Sequence, residues 1–331
     1  MTTLYITGAG VSADSGIPTF RGEDGYWTIG SVNYTPQEMA TRQMYESDPG
    51  QFLLWYYRRF ASYRHVLPND VHRWLAAECN AVDGNGQKRA RLITQNIDGL
   101  DGRAGNADCV CIHGRLDMMT LYDDQMALHG RARAAAAMQD DFMDGRCMER
   151  DFSDTNLMEG GVREGGVVVP APWDDVPAAL HKIGAAGDDP ATASDDEMMA
   201  ALLKLCRIGG EPGGAGRGTG DIAGRGADAG AGRGVAQPVK GVSLKPYVLL
   251  FDEFYTDLYR MGTAEAWMQV ASRMVFIGTS FSVNITAIAL QTAIQRGIPV
   301  EIVDPEPVDL GIHEDMAEIT YHRVTAQDWV G

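Results

Sequence analysis

Short apolar runs recur along the chain, and each ends in a glycine or a polar cluster. Leu4-Tyr5-Ile6-Thr7 runs into Gly8, Arg91-Leu92-Ile93-Thr94 into Gln95-Asn96-Ile97-Asp98, and Val110-Cys111-Ile112 into His113. Later, Lys245-Pro246-Tyr247-Val248-Leu249-Leu250-Phe251-Asp252-Glu253 forms such a run, Met274-Val275-Phe276-Ile277 opens onto Gly278-Thr279-Ser280, and Val300-Glu301-Ile302-Val303 ends in Asp304-Pro305. Runs of this length and composition, bounded by turn residues, read as buried strands. Helical segments lie between them: one opened by Pro36, an aromatic-rich one opened by Pro49 and running through Phe60, one capped by Asn69, one through Glu265-Ala266-Trp267-Met268, and one from Ile285 to Gln295 closed by Gly297. Repeated strand-turn-helix units predict an α/β fold, a doubly wound parallel sheet made from both ends of the chain.

The middle breaks this pattern. Tyr26-Trp27 to Tyr34 reads as a mobile loop, Arg131 to Met143 as an alanine-rich helix, Pro170 to Pro177 as a turn-rich stretch, and Glu197 to Cys206 as an amphipathic helix. Between about 209 and 234, glycine interleaves with alanine and arginine, a composition too poor in apolar surface to fix its backbone, so a disordered loop is expected. The expected division is a strand-rich domain from residues 1–116 and 245–331, an insertion over 117–244, and a helical small-domain segment within 25–70.

Composition narrows the partners. The 331 residues are 45% hydrophobic and 22% charged, ordinary for a globular chain with a real core. With 28 basic against 45 acidic residues the net charge is −17, which argues against nucleic acid as a partner and favours basic partners such as lysine-bearing protein tails. Met1-Thr2-Thr3 leads straight into the first strand without a basic apolar leader, and no apolar run is long enough to span a bilayer; a cytoplasmic or otherwise intracellular protein with no membrane partner is expected. Five cysteines, odd in number and without C-x-x-C spacing, suggest neither disulfides nor a zinc ribbon, and Cys109-Val110-Cys111 reads as buried strand.

Candidate chemistry gathers at the strand ends, where ligands sit in open parallel sheets. Gly8-Ala9-Gly10 follows the first strand and allows close backbone approach to a pyrophosphate at the opening of a helix. A lone G-x-G is weak, but Ser15-Gly16-Ile17-Pro18-Thr19-Phe20-Arg21-Gly22 follows it and places an aromatic and a guanidinium beside the loop. Together with Thr94-Gln95-Asn96-Ile97-Asp98-Gly99-Leu100 and Ile112-His113-Gly114, this run resembles the signature of the sirtuin family, in family order. The resemblance covers residues 1 to about 116 well and 245 to 304 less tightly.

That resemblance implies a Rossmann-like fold and NAD as cosubstrate. It places Gly8, Ala9, Gly10 and Arg21 on the pyrophosphate side, Phe20 over the nicotinamide pocket, and Asn96 and Asp98 lining that pocket. His113 becomes a general base on a ribose hydroxyl, with Gln95 sharing the ribose contact. Gly278, Thr279 and Ser280 match the family turn for the adenine ribose and phosphate. Asp304 either accepts from a ribose diol or is a plain surface aspartate. His72 reads as a packing or surface histidine rather than a ligand.

Two departures bear on function. The paired C-x-x-C that holds the family's structural zinc is missing; Leu121 and Asp124 stand at the spacing of the first pair. No metal is therefore expected, the smaller inserted domain lacks the zinc site, and something else must stabilise it. The family's F-G-E reads Phe251-Asp252-Glu253, which puts peptide docking in doubt. Tyr56 and Arg59 lie three apart on one helix face and resemble the Tyr-x-x-Arg that recognises acidic acyl groups; core aromatics with snorkelling arginines is an equal alternative. The expected function is an NAD-dependent protein-lysine deacylase acting on acylated lysine in proteins, with acidic acyl groups slightly favoured over acetyl. The alternatives are an NAD hydrolase or ADP-ribosyltransferase on the same fold, and a non-catalytic NAD-sensing module.

Overall fold

A computed structural model describes residues 2–17, 27–29, 32–59, 63–122, 162–163, 166–185, 187, 189–209, 236–312 and 318–331. Six strands form one sheet: β1 (Thr3–Thr7), β4 (Ala90–Thr94), β5 (Val110–Cys111), β10 (Arg273–Ile277), β11 (Val300–Val303) and β12 (Ile319–His322). Their order is β12-β11-β10-β1-β4-β5, and every neighbouring pair is parallel. The chain leaves β1 for β4 and β5 on one side and later fills the other side with β10 to β12. The reversal falls between β1 and β10, where an open parallel sheet offers its ligand crevice.

Alternation along β1 shows why the sheet is wound on both faces. Leu4 and Ile6 are fully buried in a core with Ala264, Trp267 and Met268 of α8 (Met261–Val270) and Ile285, Ala289 and Ala293 of α9 (Asn284–Arg296). Tyr5 points to the opposite core, with Val71 and Leu75 of α4 (Asp70–Asn80) and Ala326 of α10 (Ala326–Val330). The doubly wound α/β sheet expected from the apolar runs is therefore present. α4 starts where Asn69 caps it, its side chain accepting from the His72 N–H, and α9 stops at Gly297, whose φ of +61° is a left-handed helix end.

A second sheet carries the order β7-β8-β6-β9, with β7 (Val162–Arg163), β8 (Gly166–Pro170), β6 (Gly114–Leu121) and β9 (Leu244–Val248), all antiparallel. Over it pack α3 (Pro49–Arg59), α6 (Val176–Ile183) and α7 (Asp195–Leu205), in a core that includes Phe52, Tyr56, Met119, Trp173, Leu180 and Leu202. Two helical turns precede α3: α1 (Pro36–Met39), capped by Thr35, and α2 (Arg42–Ser47), capped by Thr41.

Several details differ from expectation. Two short antiparallel strands, β2 (Trp27–Ile29) and β3 (Val32–Tyr34), pair where a loop was expected; their β-branched and aromatic residues suit strands. Leu244–Val248, grouped with the parallel sheet in the sequence, pairs instead with β6 of the second sheet, so both expected division points fall within strands of that sheet. The turn-rich stretch near Pro170 ends β8, makes a single turn at Trp173–Asp175 and opens α6. Cys109 and Cys111 are half-buried, while Val110 between them is the buried residue. The alanine-rich segment from Arg131 to Met143, the Asp124 position and the glycine-rich stretch to 234 lie outside the described residues. Among the described residues no helix is long and apolar enough to cross a membrane.

Candidate active site at the strand ends

A cleft of about 1110 Å³ opens beyond the ends of β1, β4 and β10 and is walled on its other side by the second sheet and α3. Gly8, Ala9 and Gly10 line it, as do Gln95, Asn96, Asp98 and His113. Gly278, Thr279, Ser280 and Asp304 line it too, and Tyr56 and Arg59 reach it from α3. Phe20 and Arg21 lie outside the described residues.

The glycines are needed by the fold itself. Gly8 N–H donates to the Ile277 carbonyl at 3.0 Å and Gly10 N–H to the Gly278 carbonyl at 2.9 Å, so both donors are engaged by the neighbouring strand end. A Cβ on Gly10 would lie 2.7 Å from Gly278 Cα, and one on Gly8 would lie 2.6 Å from Gly278 O. Two loops therefore touch backbone to backbone at the switch point, with no room for a side chain between them. After it the chain makes a tight 3-10 turn, Ala9–Ser15, rather than an α-helix.

Internal hydrogen bonds set the polar floor. Asn96 Nδ2 donates to the Gly8 carbonyl at 3.0 Å and to Ser12 Oγ at 3.1 Å, which fixes the amide orientation and leaves Oδ1 as the atom it can offer a ligand. Asp98 accepts from Ser12 Oγ at 2.7 Å and from the N–H of Leu100, the first residue of the short helix α5 (Leu100–Arg103), at 2.8 Å. Burial raises its pKa, with those two hydrogen bonds working the other way. Gln95 Nε2 donates to the Thr7 carbonyl at 3.1 Å and to Thr279 Oγ1 at 3.0 Å, tying three strand ends together. Asp304 Oδ1 accepts from the Glu306 N–H at 2.9 Å in a turn at the cleft rim. His72 is fully buried behind this floor, held by Asn69 Oδ1 at 2.7 Å, so it is a packing histidine and not a surface one.

His113 is placed by the junction between the sheets. It follows β5 and precedes Gly114, whose φ is +81° and where a Cβ would sit 2.0 Å from the Tyr247 carbonyl oxygen. Only glycine lets β6 turn away so close to β9. The imidazole Nδ1 lies 2.9 Å from the Gln95 carbonyl, which can only accept, so Nδ1 carries the proton and Nε2 is the basic nitrogen. Burial pushes its pKa down to about 4, opposed by that backbone bond, and the ring is neutral at physiological pH.

Charged residues that sequence reasoning left without a role hold the second wall. Glu253 Oε2 accepts from buried Lys245 Nζ at 3.2 Å and Oε1 from Arg42 Nη1 at 3.1 Å. Burial lowers the Lys245 pKa while Glu253 pulls it back up. Asp252, in the place of the family glycine, accepts from the backbone N–H of Arg42 at 2.6 Å and of Gln43 at 3.1 Å, at the start of α2. Its carboxylate is thus turned into the fold, while the Phe251 ring is 58% exposed. Among the described residues no group of three His, Cys, Asp or Glu could hold a metal ion. Tyr255, which the sequence reading passed over, has its hydroxyl 3.0 Å from His113 Nε2, a contact that no local sequence signal marks.

Known proteins resemble this chain in sequence and in fold. A profile described as the Sir2 family matches residues 8–285. "NAD-dependent protein deacylase 1" of Archaeoglobus fulgidus is 41% identical over 113 residues, 34% of this chain and 42% of that protein. "NAD-dependent protein deacylase sirtuin-5, mitochondrial" of Danio rerio is 42% identical over 111 residues, 34% of this chain and 35% of that protein. The matched stretch thus spans less than half the length of either relative. Among solved structures, a Sir2 homologue in complex with NAD shares the fold with a TM-score of 0.56 at 22% identity, over 99% of this chain and 86% of that one. A Sir2 complex with a p53 peptide and NAD+ gives a TM-score of 0.56 at 18% identity, over 99% and 90%.

Proposed function

Because this chain belongs to the Sir2 family, we propose that it is an NAD-dependent protein-lysine deacylase that releases nicotinamide and O-acyl-ADP-ribose. The observation that carries the reading is His113: an imidazole whose tautomer is set by the Gln95 carbonyl and whose basic Nε2 belongs to the same cleft as Asn96 and Asp98. NAD fits the donor set there, with an acceptor carboxylate at Asp304 for a diol, amide and hydroxyl groups at Gln95, Asn96 and Thr279, and a narrow backbone contact at Gly8, Gly10 and Gly278. The expected hold on the pyrophosphate shifts from the Gly8 and Gly10 N–H groups, already engaged, to other groups of the loop. NAD supplies the electrophilic ribose carbon that the acyl oxygen attacks. In this reading Asp98 accepts from a carboxamide, Asn96 orders water and ribose through Oδ1, and His113 Nε2 takes the proton of a ribose hydroxyl.

The acyl end is assigned to Tyr56 and Arg59. Both are buried, at 1% and 6% exposure, yet line the cleft, so Arg59 does not snorkel to solvent. Arg59 brings to the cleft a guanidinium whose donors match a carboxylate, and succinyl or malonyl groups are the preferred substrates in this reading. Asp252 is folded onto α2, which leaves the neighbouring edge for a substrate peptide. The acidic surface charge suits lysine-rich protein targets, and an intracellular site of action is part of the same proposal.

The test is mass spectrometry of acetyl-, succinyl- and malonyl-lysine peptides incubated with the protein and NAD. Deacylated peptide and O-acyl-ADP-ribose are expected to form together, faster for the acidic acyl groups, and to fall by about 10²–10⁴-fold in His113→Ala. Arg59→Met is expected to erase the acidic preference while retaining acetyl turnover. Peptides left intact under all conditions would refute the reading.

A further inference from the structure

The Tyr255 hydroxyl lies 3.0 Å from His113 Nε2, and the two rings stack with centroids 5.9 Å apart and an interplanar angle of 23°. Since the Gln95 carbonyl fixes the proton on Nδ1, Nε2 is the acceptor and Tyr255 is the donor. An imidazole nitrogen has one in-plane lone pair, and here it is occupied. A ribose hydroxyl cannot give its proton to that nitrogen until Tyr255 lets go.

We propose that the Tyr255 hydroxyl is a built-in stand-in for the substrate hydroxyl, engaging the basic nitrogen of His113 in the unliganded protein and displaced from it when the ribose diol binds. This rests on the reading of His113 as the base. The position of Tyr255 suits such a role. It belongs to the irregular stretch from Leu249 to the turn Asp257–Tyr259, lines the cleft, and is flanked by Phe254, which is 46% exposed. The stretch is pinned at its start, where the Leu249 N–H donates to the His113 carbonyl at 2.9 Å, and at its end, where the Tyr259 N–H donates to the Thr256 carbonyl at 3.0 Å. The ring also packs against the core behind the parallel sheet, and its hydroxyl accepts from the Ile285 N–H, so displacement means giving up that bond as well as the one to His113. Burial pushes the phenol up to about 12, with the Ile285 backbone N–H acting against the rise, so Tyr255 stays a neutral donor across physiological pH. The exchange conserves protons: at His113 one O–H···N bond is broken and one is formed, the Ile285 N–H loses its phenol acceptor, and no charge moves until chemistry begins. Its consequence is that ligand affinity carries the cost of releasing Tyr255.

The experiment compares wild type with Tyr255→Phe, which keeps the ring and its packing. ADP-ribose, which carries the diol without nicotinamide, is titrated by calorimetry, and the His113 imidazole is followed by NMR through pH without ligand. Removing the competing donor is expected to tighten ADP-ribose binding by about three- to tenfold. It is also expected to move the His113 titration upward, because the lost hydrogen bond favoured the neutral ring. In wild type, ADP-ribose should shift the Tyr255 ring signals as the side chain departs, a readout that needs no variant. Equal ADP-ribose affinity in the two proteins, with an unmoved His113 titration, would overturn the proposal and leave the deacylase reading standing. Weaker binding in Tyr255→Phe would also overturn it, by making the hydroxyl part of the ligand contact. Absence of ADP-ribose binding in both proteins would remove the underlying reading and this proposal with it.

Discussion

The two walls of the cleft are built from opposite chemistry. The parallel sheet holds its strand ends by backbone contact: Gly8, Gly10 and Gly278 touch main chain to main chain, and Gln95 and Asn96 tie the loops with neutral amides. The antiparallel unit holds its edge of the cleft by charge, with Lys245, Glu253 and Arg42 joined across the fold and Asp252 bonded to the start of α2. Among the described residues, buried ion pairs brace this wall of the cleft. The contrast teaches that the first wall tolerates no added volume, whereas the second tolerates no lost charge.

The largest expected effect breaks the charged wall. Glu253→Ala leaves Lys245 buried without its carboxylate and is expected to lower stability by about 4 kcal/mol. Chemical denaturation should show this loss, and the conservative Glu253→Gln should lose less. Next comes the junction that both walls share. Gly114→Ala forces a side chain to φ +81° and against the Tyr247 carbonyl, for a loss of about 3 kcal/mol, whereas Gly16→Ala, at φ +83° with nothing within 4 Å of its Cβ, should lose only about 1 kcal/mol. The same denaturation series measures both, and equal losses would mean that strain alone, not close packing, requires Gly114.

A pH series sharpens the comparison inside the first wall. Burial pushes the Asp101 carboxyl up to about 7, with Asp98 adding to the rise. Such a group carries its full contribution below the ordinary carboxylate pKa and loses it as pH climbs toward 7. Asp101→Asn should therefore match wild type near pH 4 and gain on it by about 1 kcal/mol per pH unit up to about pH 7. His72 and His113 act in the other direction. Both are held down to about 4 by burial, so their contribution is intact above about pH 6.5 and is lost as pH falls toward 4. The smallest effect is Asp252→Gly, which removes the carboxylate from the start of α2 and restores the family's glycine, at a cost of about 1 kcal/mol in thermal or chemical unfolding. A loss several times larger would show that Asp252 belongs to the buried charge network and is not simply a helix cap.

The legible parts of the sequence were those where one local rule governs. Short apolar runs ending in polar clusters located five of the six parallel strands, since a strand buried on both faces must be apolar throughout and its end must meet water or ligand; the edge strand β12, with Thr320 and Tyr321 exposed, gave no such run. Proline and asparagine caps marked α3 and α4 within a residue or so. The second sheet was harder to see. Gly114–Leu121 mixes Arg115 and Asp117 with apolar residues because the strand bends between Arg115 and Met119 and pairs on both edges, so no clean alternation survives. Its partner β9 contains Pro246 and the buried Lys245, residues that local propensity places elsewhere. At the site, the motif residues were readable because the chemistry needs those side chains. Tyr255 was not, because its role depends on a contact with His113 across 142 positions of sequence.

The most direct test of the central claim is nicotinamide release from NAD by the purified protein, measured with and without acyl-lysine peptide. The account predicts release that depends on the acyl peptide and is matched mole for mole by O-acyl-ADP-ribose. Release at the same rate without any peptide would contradict it and assign the cleft to NAD hydrolysis or ADP-ribosyl transfer. Tight NAD binding with no release under any condition would contradict it as well, and would make the protein a sensor.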